Sequence, residues 1–215
     1  MKLLRIKILK STIGLFIFSF GSYMCIPANI GLNPWTAFTI GIADTLNLSF
    51  GAVSIMTSIV ILFIDLILKE KLGIATILDA LLVGIFTDFF LWLNFIPQVN
   101  VFWIGIILLL IGQVFISVGV YYYMSAALGC GPRDSLMIAI SKRSKSFPVG
   151  IARGIIEGSA LLIGWLFGAK VGLGTVISVF GISILIQLTF KFFKFDANTV
   201  VHQSISQSIR MALKE

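Results

Sequence analysis

The chain has 215 residues, of which 58% are hydrophobic and only 12% are charged. A soluble domain of this size needs more polar side chains on its surface, so the composition excludes an ordinary soluble protein. The formal net charge of +7 does not indicate nucleic-acid binding, because the basic residues fall in short clusters between apolar segments. We therefore predict an all-α polytopic membrane protein whose surroundings are the lipid bilayer.

Six strongly apolar segments and two weaker ones follow one another along the chain. A helix needs about 20 apolar residues to cross a bilayer core of about 30 Å. The strong segments approach this length, whereas the weak ones would span only about 21 Å as helices. The tail predicts an amphipathic helix on the cytoplasmic leaflet, with Val201, Ile205, Ile209 and Ala212 on one face. The strong segments are 6–28, 51–68, 74–96, 101–125, 149–168 and 172–193, and the weak ones are 34–47 and 132–144.

The chain contains an internal repeat. Sliding the sequence against itself by 98 residues superposes several glycines and the prolines of the two weak segments, and one inserted residue extends the match. We predict a first repeat over 1–97, a second over 98–195 and a cytoplasmic tail over 196–215. Small residues every seven positions predict that the first and fourth spans pack closely together. The matched pairs are Gly14–Gly112, Gly21–Gly119, Ala28–Ala126, Gly31–Gly129, Pro34–Pro132, Gly51–Gly150, Gly73–Gly172 and Thr76–Thr175.

The distribution of Lys and Arg predicts six transmembrane helices with both termini in the cytoplasm. Basic residues cluster before the first span, after the second, after the fourth and at the end of the sixth, whereas the 29–50 and 97–100 connections carry none. Three spans per repeat is an odd number, so the second repeat would be inverted relative to the first, a construction that recurs in transporters. The alternative counts the weak segments as spans and gives eight helices in parallel repeats.

Each weak segment opens with a Gly-x-x-Pro stretch, "GLNP" in the first repeat and "GCGP" in the second. Proline suits the first helical position because it has no N–H to leave unpaired, and Asn33 and Gly131 precede the prolines as N-caps. Thr36 and Asp134 follow at the third helical position, near unpaired N–H groups and the positive end of the helix dipole. Each short helix is either interfacial or re-entrant, with its N-terminus towards mid-membrane, where such ends bind ions and anionic groups.

The stretches "GLNPW", "GCGPRD", "GIARGIIEG" and "KVGLGT" resemble the YczE-like family of bacterial integral membrane proteins, grouped with YyaS and YitT. The resemblance covers nearly all of residues 10–190. It implies a location in the bacterial cell (inner or plasma) membrane, and it implies a fold more than a function. The first repeat departs from the family's usual Gly-Pro-Trp-Asp by having Asn33 and Thr36, so a role that the family pattern would give to a carboxylate at position 36 does not carry over to this chain.

Ionisable residues within the spans are candidates for function, because each costs about 2.5–3.5 kcal/mol on insertion scales. Arg153 and Glu157 lie four residues apart on one helical face, either as an internal ion pair or with a direct substrate or proton role. Asp88 either hydrogen-bonds a neighbouring helix or takes part in proton coupling, and Asp79 points to the opposite side of the same span. Asp65 lies near the interface, where it can snorkel, and has no predicted role.

The leading functional hypothesis is a small-molecule transporter with its site at the interface of the two repeats. Helix N-termini and two arginines favour a substrate with an anionic or carboxylate group. The alternative is a substrate-binding subunit or assembly partner of a larger complex, and a homodimer is compatible with the sequence. A membrane-embedded enzyme is a less favoured alternative, and we predict that the protein is not an enzyme, because the spans contain no histidine and no hydrolase motif. We predict no cofactor and no metal site. The predicted substrate-binding residues are Asn33, Pro34, Trp35, Arg133, Asp134, Arg153, Glu157 and Asp88.

Overall fold

The computed structural model describes residues 2–143, 149–196, 200 and 203–214. Within these residues the chain is helical and has no β-strand, which confirms the predicted all-α class. Each predicted apolar segment forms one helix, and the tail forms another. The helices are α1 (Lys2–Cys25), α2 (Pro34–Leu46), α3 (Phe50–Ile67), α4 (Ile74–Leu93), α5 (Phe102–Ser125), α6 (Pro132–Arg143), α7 (Val149–Leu166), α8 (Leu173–Phe192) and α9 (Ile205–Lys214).

Within the described part of the chain, four helices, α3, α4, α5 and α8, are long and apolar enough to cross a membrane. Large apolar side chains cover the outer surface of the bundle instead of being confined to its interior. Trp92, Trp103 and Phe180 are 79%, 72% and 69% exposed. Such a surface is unfavourable in water and suits a lipid environment, as the composition predicted.

Helices α1 and α5 form the central and most extensive contact of the bundle. Their backbones approach closely because glycines face each other across the contact. A Cβ atom added to Gly119 would lie 2.6 Å from the backbone nitrogen of Phe18 and 2.7 Å from the carbonyl oxygen of Gly14. Only glycine allows this approach, so the small-residue pattern of the sequence correctly predicted which two helices pair.

The two short helices pack across the boundary between the predicted repeats. Helix α2 lies against α7, and α6 lies against α3, so that each short helix contacts a long helix of the other repeat. The loop before each short helix bonds the other repeat as well. The N–H of Ala75 donates to Leu128 at 3.0 Å, and the N–H of Gly174 donates to Ile30 at 2.8 Å.

The loops use the same backbone conformation in both repeats. Gly31 and Gly129 have φ angles of 122° and 123°, a left-handed conformation that side chains other than glycine's rarely adopt. Gly31 packs on the glycine and threonine at the start of α8, and Gly129 packs on those at the start of α4. In both places the glycine N–H donates to the threonine hydroxyl, from Gly172 to Thr175 Oγ1 and from Gly73 to Thr76 Oγ1. These matched glycines therefore have one structural task in each repeat.

The connections between helices fall into two sets of mutual contacts. In one set, the 26–33 loop bonds Val99 through Pro27 O and Asn29 Nδ2, and Lys170 Nζ donates to Asn29 Oδ1 at 2.8 Å. In the other set, the N–H of Gln203 donates to the carbonyl oxygen of Ala127, and the N–H of Ile205, at the start of α9, donates to that of Leu72. No hydrogen bond between described residues links the two sets.

A charge cluster holds the α3–α4 connection against the end of α6. Lys142 Nζ lies 2.8 Å from Glu70 Oε2, Arg143 Nη1 lies 3.4 Å from Glu70 Oε1, and Arg143 also donates to the carbonyl of Leu68. The hydrogen bond from Lys142 and the two positive charges lower the pKa of the Glu70 carboxyl below its usual value, against a smaller opposing effect of burial. This cluster fixes the C-terminus of α6.

One sequence interpretation changes with the structure. Asp65 does not snorkel to the surface, because it is 0% exposed and packs inside the α3–α6 contact. The predicted tail helix is present as α9, which contacts α1 and has a buried Ser208. Val201 lies outside the described residues, and so does residue 144, at the predicted end of α6.

Candidate functional site

A cavity of about 530 Å³ lies between the helices of the two predicted repeats. Seven of the eight predicted site residues line it, and Asp88 does not. Side chains from α1, α3, α4, α5 and α8 complete its wall. The predicted residues that line the cavity are Asn33, Pro34, Trp35, Arg133, Asp134, Arg153 and Glu157.

The N-terminus of α2 opens onto the cavity. Asn33 Oδ1 accepts a hydrogen bond from the N–H of Thr36 at 2.9 Å, which confirms the predicted N-cap. Pro34 stands at the first helical position and is buried. The first turn is thus fixed, and the following residue, Trp35, is half-buried with its side chain in the cavity wall.

Arg133 joins the two short helices across the cavity. Its guanidinium carbon lies 4.4 Å from the centre of the Trp35 ring, which is cation–π geometry. Arg133 is the second residue of α6, and Trp35 is the second residue of α2. The structure therefore brings the N-terminal turns of both Pro-headed helices together at one place.

The first turn of α6 carries further polar groups. Asp134 Oδ2 accepts a hydrogen bond from Tyr123 Oη at 3.1 Å. Asp79 lies beside the N-terminal turn of α6, because a Cβ on Gly131 would be 3.1 Å from Asp79 Oδ2. Asp79 and Tyr123 both line the cavity but were not among the predicted site residues. Asp79 stood out as an intramembrane carboxylate, but a sequence pattern does not say which face of α4 meets the cavity.

Arg153 and Glu157 form an ion pair on α7, with 2.8 Å between Arg153 Nε and Glu157 Oε1. Their side chains are 39% and 17% exposed and both reach the cavity. The predicted pairing is thus present within one helix, although a role in binding stays a prediction. Because the arginine is partly open, the pair can separate and offer both charges to a ligand at modest cost.

Asp88 lies at a different place from the other predicted site residues. Its Oδ1 accepts a hydrogen bond from the N–H of Gly51 at 2.7 Å, at the start of α3. Asp88 therefore clamps α4 to α3 by satisfying a free helix N-terminal donor, one of the two roles that the sequence left open. The structure does not bring it into the cavity.

The rest of the cavity wall is apolar with scattered hydroxyl and amide groups. Gln113 Nε2 donates to Ser178 Oγ at 3.1 Å and ties α5 to α8. Ser22, Ser54 and Ser58 add hydroxyl groups from α1 and α3. One charged region beside a larger apolar region is the arrangement expected of a site for a small amphipathic molecule.

Comparisons with known proteins identify the family of this chain. Residues 5–191 match the model of a family described as a family of unknown function, DUF6198. The chain is 35% identical over 168 residues to "Uncharacterized membrane protein YczE" of Bacillus subtilis, covering 77% of this chain and 76% of that protein. It is 30% identical over 173 residues to an "Uncharacterized protein" of Haemophilus influenzae, covering 80% and 78%.

A further relative is "Uncharacterized protein YyaS" of Bacillus subtilis, 27% identical over 171 residues that cover 78% of this chain and 84% of the relative. No solved structure matches the chain. The family match covers most of the chain, and the YczE match extends over three quarters of both proteins. The chain therefore belongs to the YczE-like family of membrane proteins.

Proposed function

We propose that the protein is a small-molecule transporter whose substrate binds in the cavity between the two repeats. The observation that carries the proposal is the contact of Arg133 with Trp35, at 4.4 Å, because it unites the N-terminal turns of both short helices in one cavity. Helix N-termini and paired charges at a repeat interface are the usual elements of secondary-transporter sites.

The proposed architecture has six transmembrane helices, α1, α3, α4, α5, α7 and α8, arranged as two inverted repeats with both termini in the cytoplasm of a bacterial cell. The crossed bonds Ala75–Leu128 and Gly174–Ile30 support it, since they are equivalent under the repeat match. The two separate sets of connections support it too, because their members are those that six spans would place on opposite sides. In this arrangement α2 and α6 are re-entrant.

The two halves differ in a way that suits alternating access. Helix α3 packs closely on α4, where Gly51 meets both Gly84 and Asp88. The equivalent helices α7 and α8 make no comparable contact among the described residues. Gly150, the counterpart of Gly51, has open space where a Cβ would point. In the proposed cycle the second half closes as the first half opens.

The charges of the cavity define the proposed substrate. Two arginines, Arg133 and Arg153, would bind an anionic or carboxylate group. Three carboxylates, Asp79, Asp134 and Glu157, share the same wall. Because acidic groups outnumber basic ones, the proposed substrate carries a carboxylate together with a hydrogen-bond donor or positive group, and its apolar part contacts the remaining wall.

The test is native mass spectrometry of the gently purified protein, in search of a retained small molecule. We expect such a molecule on the wild-type protein and on the control Asp44→Asn, whose side chain is exposed on α2. We expect it to be lost from Arg133→Gln. Retention of the same molecule by Arg133→Gln would contradict the proposed site.

The proposed topology has its own test, a cysteine placed at Val99 in a chain without native cysteines. Val99 bonds the 26–33 loop, so the proposal puts it outside the cell. An impermeant thiol reagent should label it in intact cells. Labelling only after the cells are opened would contradict the six-span arrangement.

A second candidate function, as a subunit or assembly partner of a larger complex, is favoured by one surface. Gly150, Gly154 and Gly158 form a stripe on α7 where an added Cβ would meet nothing within 4 Å. Such stripes let another helix approach closely. Crosslinking from a cysteine at Gly154 to a second chain, of the same or another kind, would support this candidate, and efficient transport by the isolated monomer would contradict it.

A further inference from the structure

Asp65 is a buried carboxylate without a hydrogen-bond partner. Its side chain is 0% exposed, and neither Oδ1 nor Oδ2 makes a hydrogen bond to a described residue. Ser135 of α6 lies close enough to act on the carboxyl group, but not in hydrogen-bonding geometry. An ionised carboxylate left unpaired in such a place is very costly, so the charge must be absent or compensated.

The repeat supplies an internal control for this position. The counterpart of Asp65 in α7 is Gly164, and the counterpart of Ser135 in α2 is Ala37. Gly164 packs directly on α2, since a Cβ there would lie 2.6 Å from the carbonyl oxygen of Ala37. The same helix contact is therefore built from small residues in one half of the molecule. Asp65 is not needed for the packing, which points to a function.

The surrounding charges do not neutralise Asp65. Among the described residues, the charged group that acts electrostatically on it is Glu70, which is an anion. Lys142 and Arg143 are engaged with Glu70 instead. The groups on the elements packed against α3 are Asp44 on α2, Asp79 and Asp88 on α4, Lys69, Glu70 and Lys71 in the connection, and Cys130, Arg133, Asp134, Lys142 and Arg143 on and before α6; residues 144–148 lie outside the description.

We propose that Asp65 is a proton-binding site that couples pH to the position of α6. In the observed arrangement the carboxyl group holds its proton. On release, the O–H bond breaks, the proton passes to water and the carboxylate keeps the electron pair. The charged group then has to gain water or a partner, which requires α6 to move away from α3.

Movement of α6 would change the cavity, because Arg133 and Asp134 stand in the first turn of that helix. The Arg133–Trp35 contact would open as Asp65 loses its proton. This inference rests on the proposed function only in making Asp65 the coupling site of the transporter. Proton binding itself needs neither substrate nor transport, so the two can fail separately.

The experiment follows the fluorescence of Trp35, whose ring contacts the Arg133 guanidinium. Trp92, Trp103 and Trp165 are changed to Phe, which the bundle should tolerate because they are 79%, 72% and 60% exposed. We expect the emission of the purified protein to titrate with the slope of a single proton. Asp65→Asn, which mimics the protonated form, should abolish the titration and hold the emission at its acid-side value.

Asp44→Asn is the matched control, since it removes an exposed carboxylate of α2 and should leave the titration unchanged. Should Asp65→Asn not fold, Asp65→Gly reproduces the residue of the other half and should give the same loss. An unchanged titration in either variant, or no titration in the wild type, overturns the proposal.

Infrared spectroscopy of the wild-type protein is a second measurement that needs no variant. A protonated carboxyl band that resists exchange into heavy water, and that disappears over the same pH range as the fluorescence change, supports the proposal. The cavity carboxylates Asp79, Asp134 and Glu157 are only partly buried and should exchange quickly. Absence of any slowly exchanging protonated carboxyl overturns it.

Discussion

Replacing Gly119 with Ala tests the central contact of α1 with α5. The added methyl group would lie 2.6 Å from the nitrogen of Phe18, 2.7 Å from the carbonyl oxygen of Gly14 and 2.8 Å from the Cα of Phe18. Ordinary van der Waals contact begins at 3.4 Å, and all three atoms belong to backbone that cannot turn aside. The two helices must therefore separate by roughly 0.6–0.8 Å, which weakens dispersion contacts along the seam.

Overpacking of this kind costs about 1–3 kcal/mol. At about 2–4 °C per kcal/mol for a chain of this size, the melting temperature should fall by roughly 2–12 °C. The assay is thermal unfolding of the purified protein in detergent, followed by circular dichroism.

The matched control is Gly154→Ala in α7, where the added methyl group meets nothing within 4 Å. There alanine should stabilise the helix by about 0.5–1 kcal/mol through backbone entropy and raise the melting temperature slightly. The reasoning is refuted if Gly119→Ala melts at or above the wild-type temperature, or if both variants are destabilised alike.

Three further outcomes follow from the described contacts. Arg153→Met should destabilise the protein by up to about 1 kcal/mol, because the pair is partly exposed and the Glu157 carboxylate loses its partner. Adding Glu157→Gln should recover part of this loss, and a double variant no more stable than the single one would contradict the pairing. The lowered pKa of the Glu70 carboxyl contributes stability that is fully present at neutral pH and is lost as the pH falls through and below about 4.5. Glu70→Gln should therefore flatten that part of the curve of stability against pH, and an unchanged curve would refute this prediction. N-ethylmaleimide should modify Cys130, which lines the cavity, well before Cys25, which is 1% exposed, and mass mapping that finds the reverse order would contradict the cavity.

The sequence predicted the helices well because their signals are local. Apolar length marked the long helices, and proline after asparagine marked the start of α2, where the Asn33 cap is as expected. The glycine spacing also identified the α1–α5 pair, since close helix contact demands small residues at fixed intervals.

The site was predicted only in part, because membership in a cavity depends on helix rotation and crossing. The residues of the Gly-x-x-Pro stretches and the α7 pair do line one cavity. Asp88 was grouped with them, but it faces Gly51 on the neighbouring helix. Asp79 was not assigned, yet it faces the cavity from the same span. A carboxylate's presence in a span is visible in sequence, whereas its direction is not.

What the sequence determined by itself is the all-helical membrane class and the short Pro-headed helices, since each follows from composition or from contacts within a few residues. Only the tertiary structure decided that α2 packs on α7 and α6 on α3, that Arg133 reaches Trp35, and that Asp65 is sealed inside a contact whose counterpart holds Gly164. The physical reason is that these contacts join residues far apart in the chain, and the packing of whole helices fixes which faces meet.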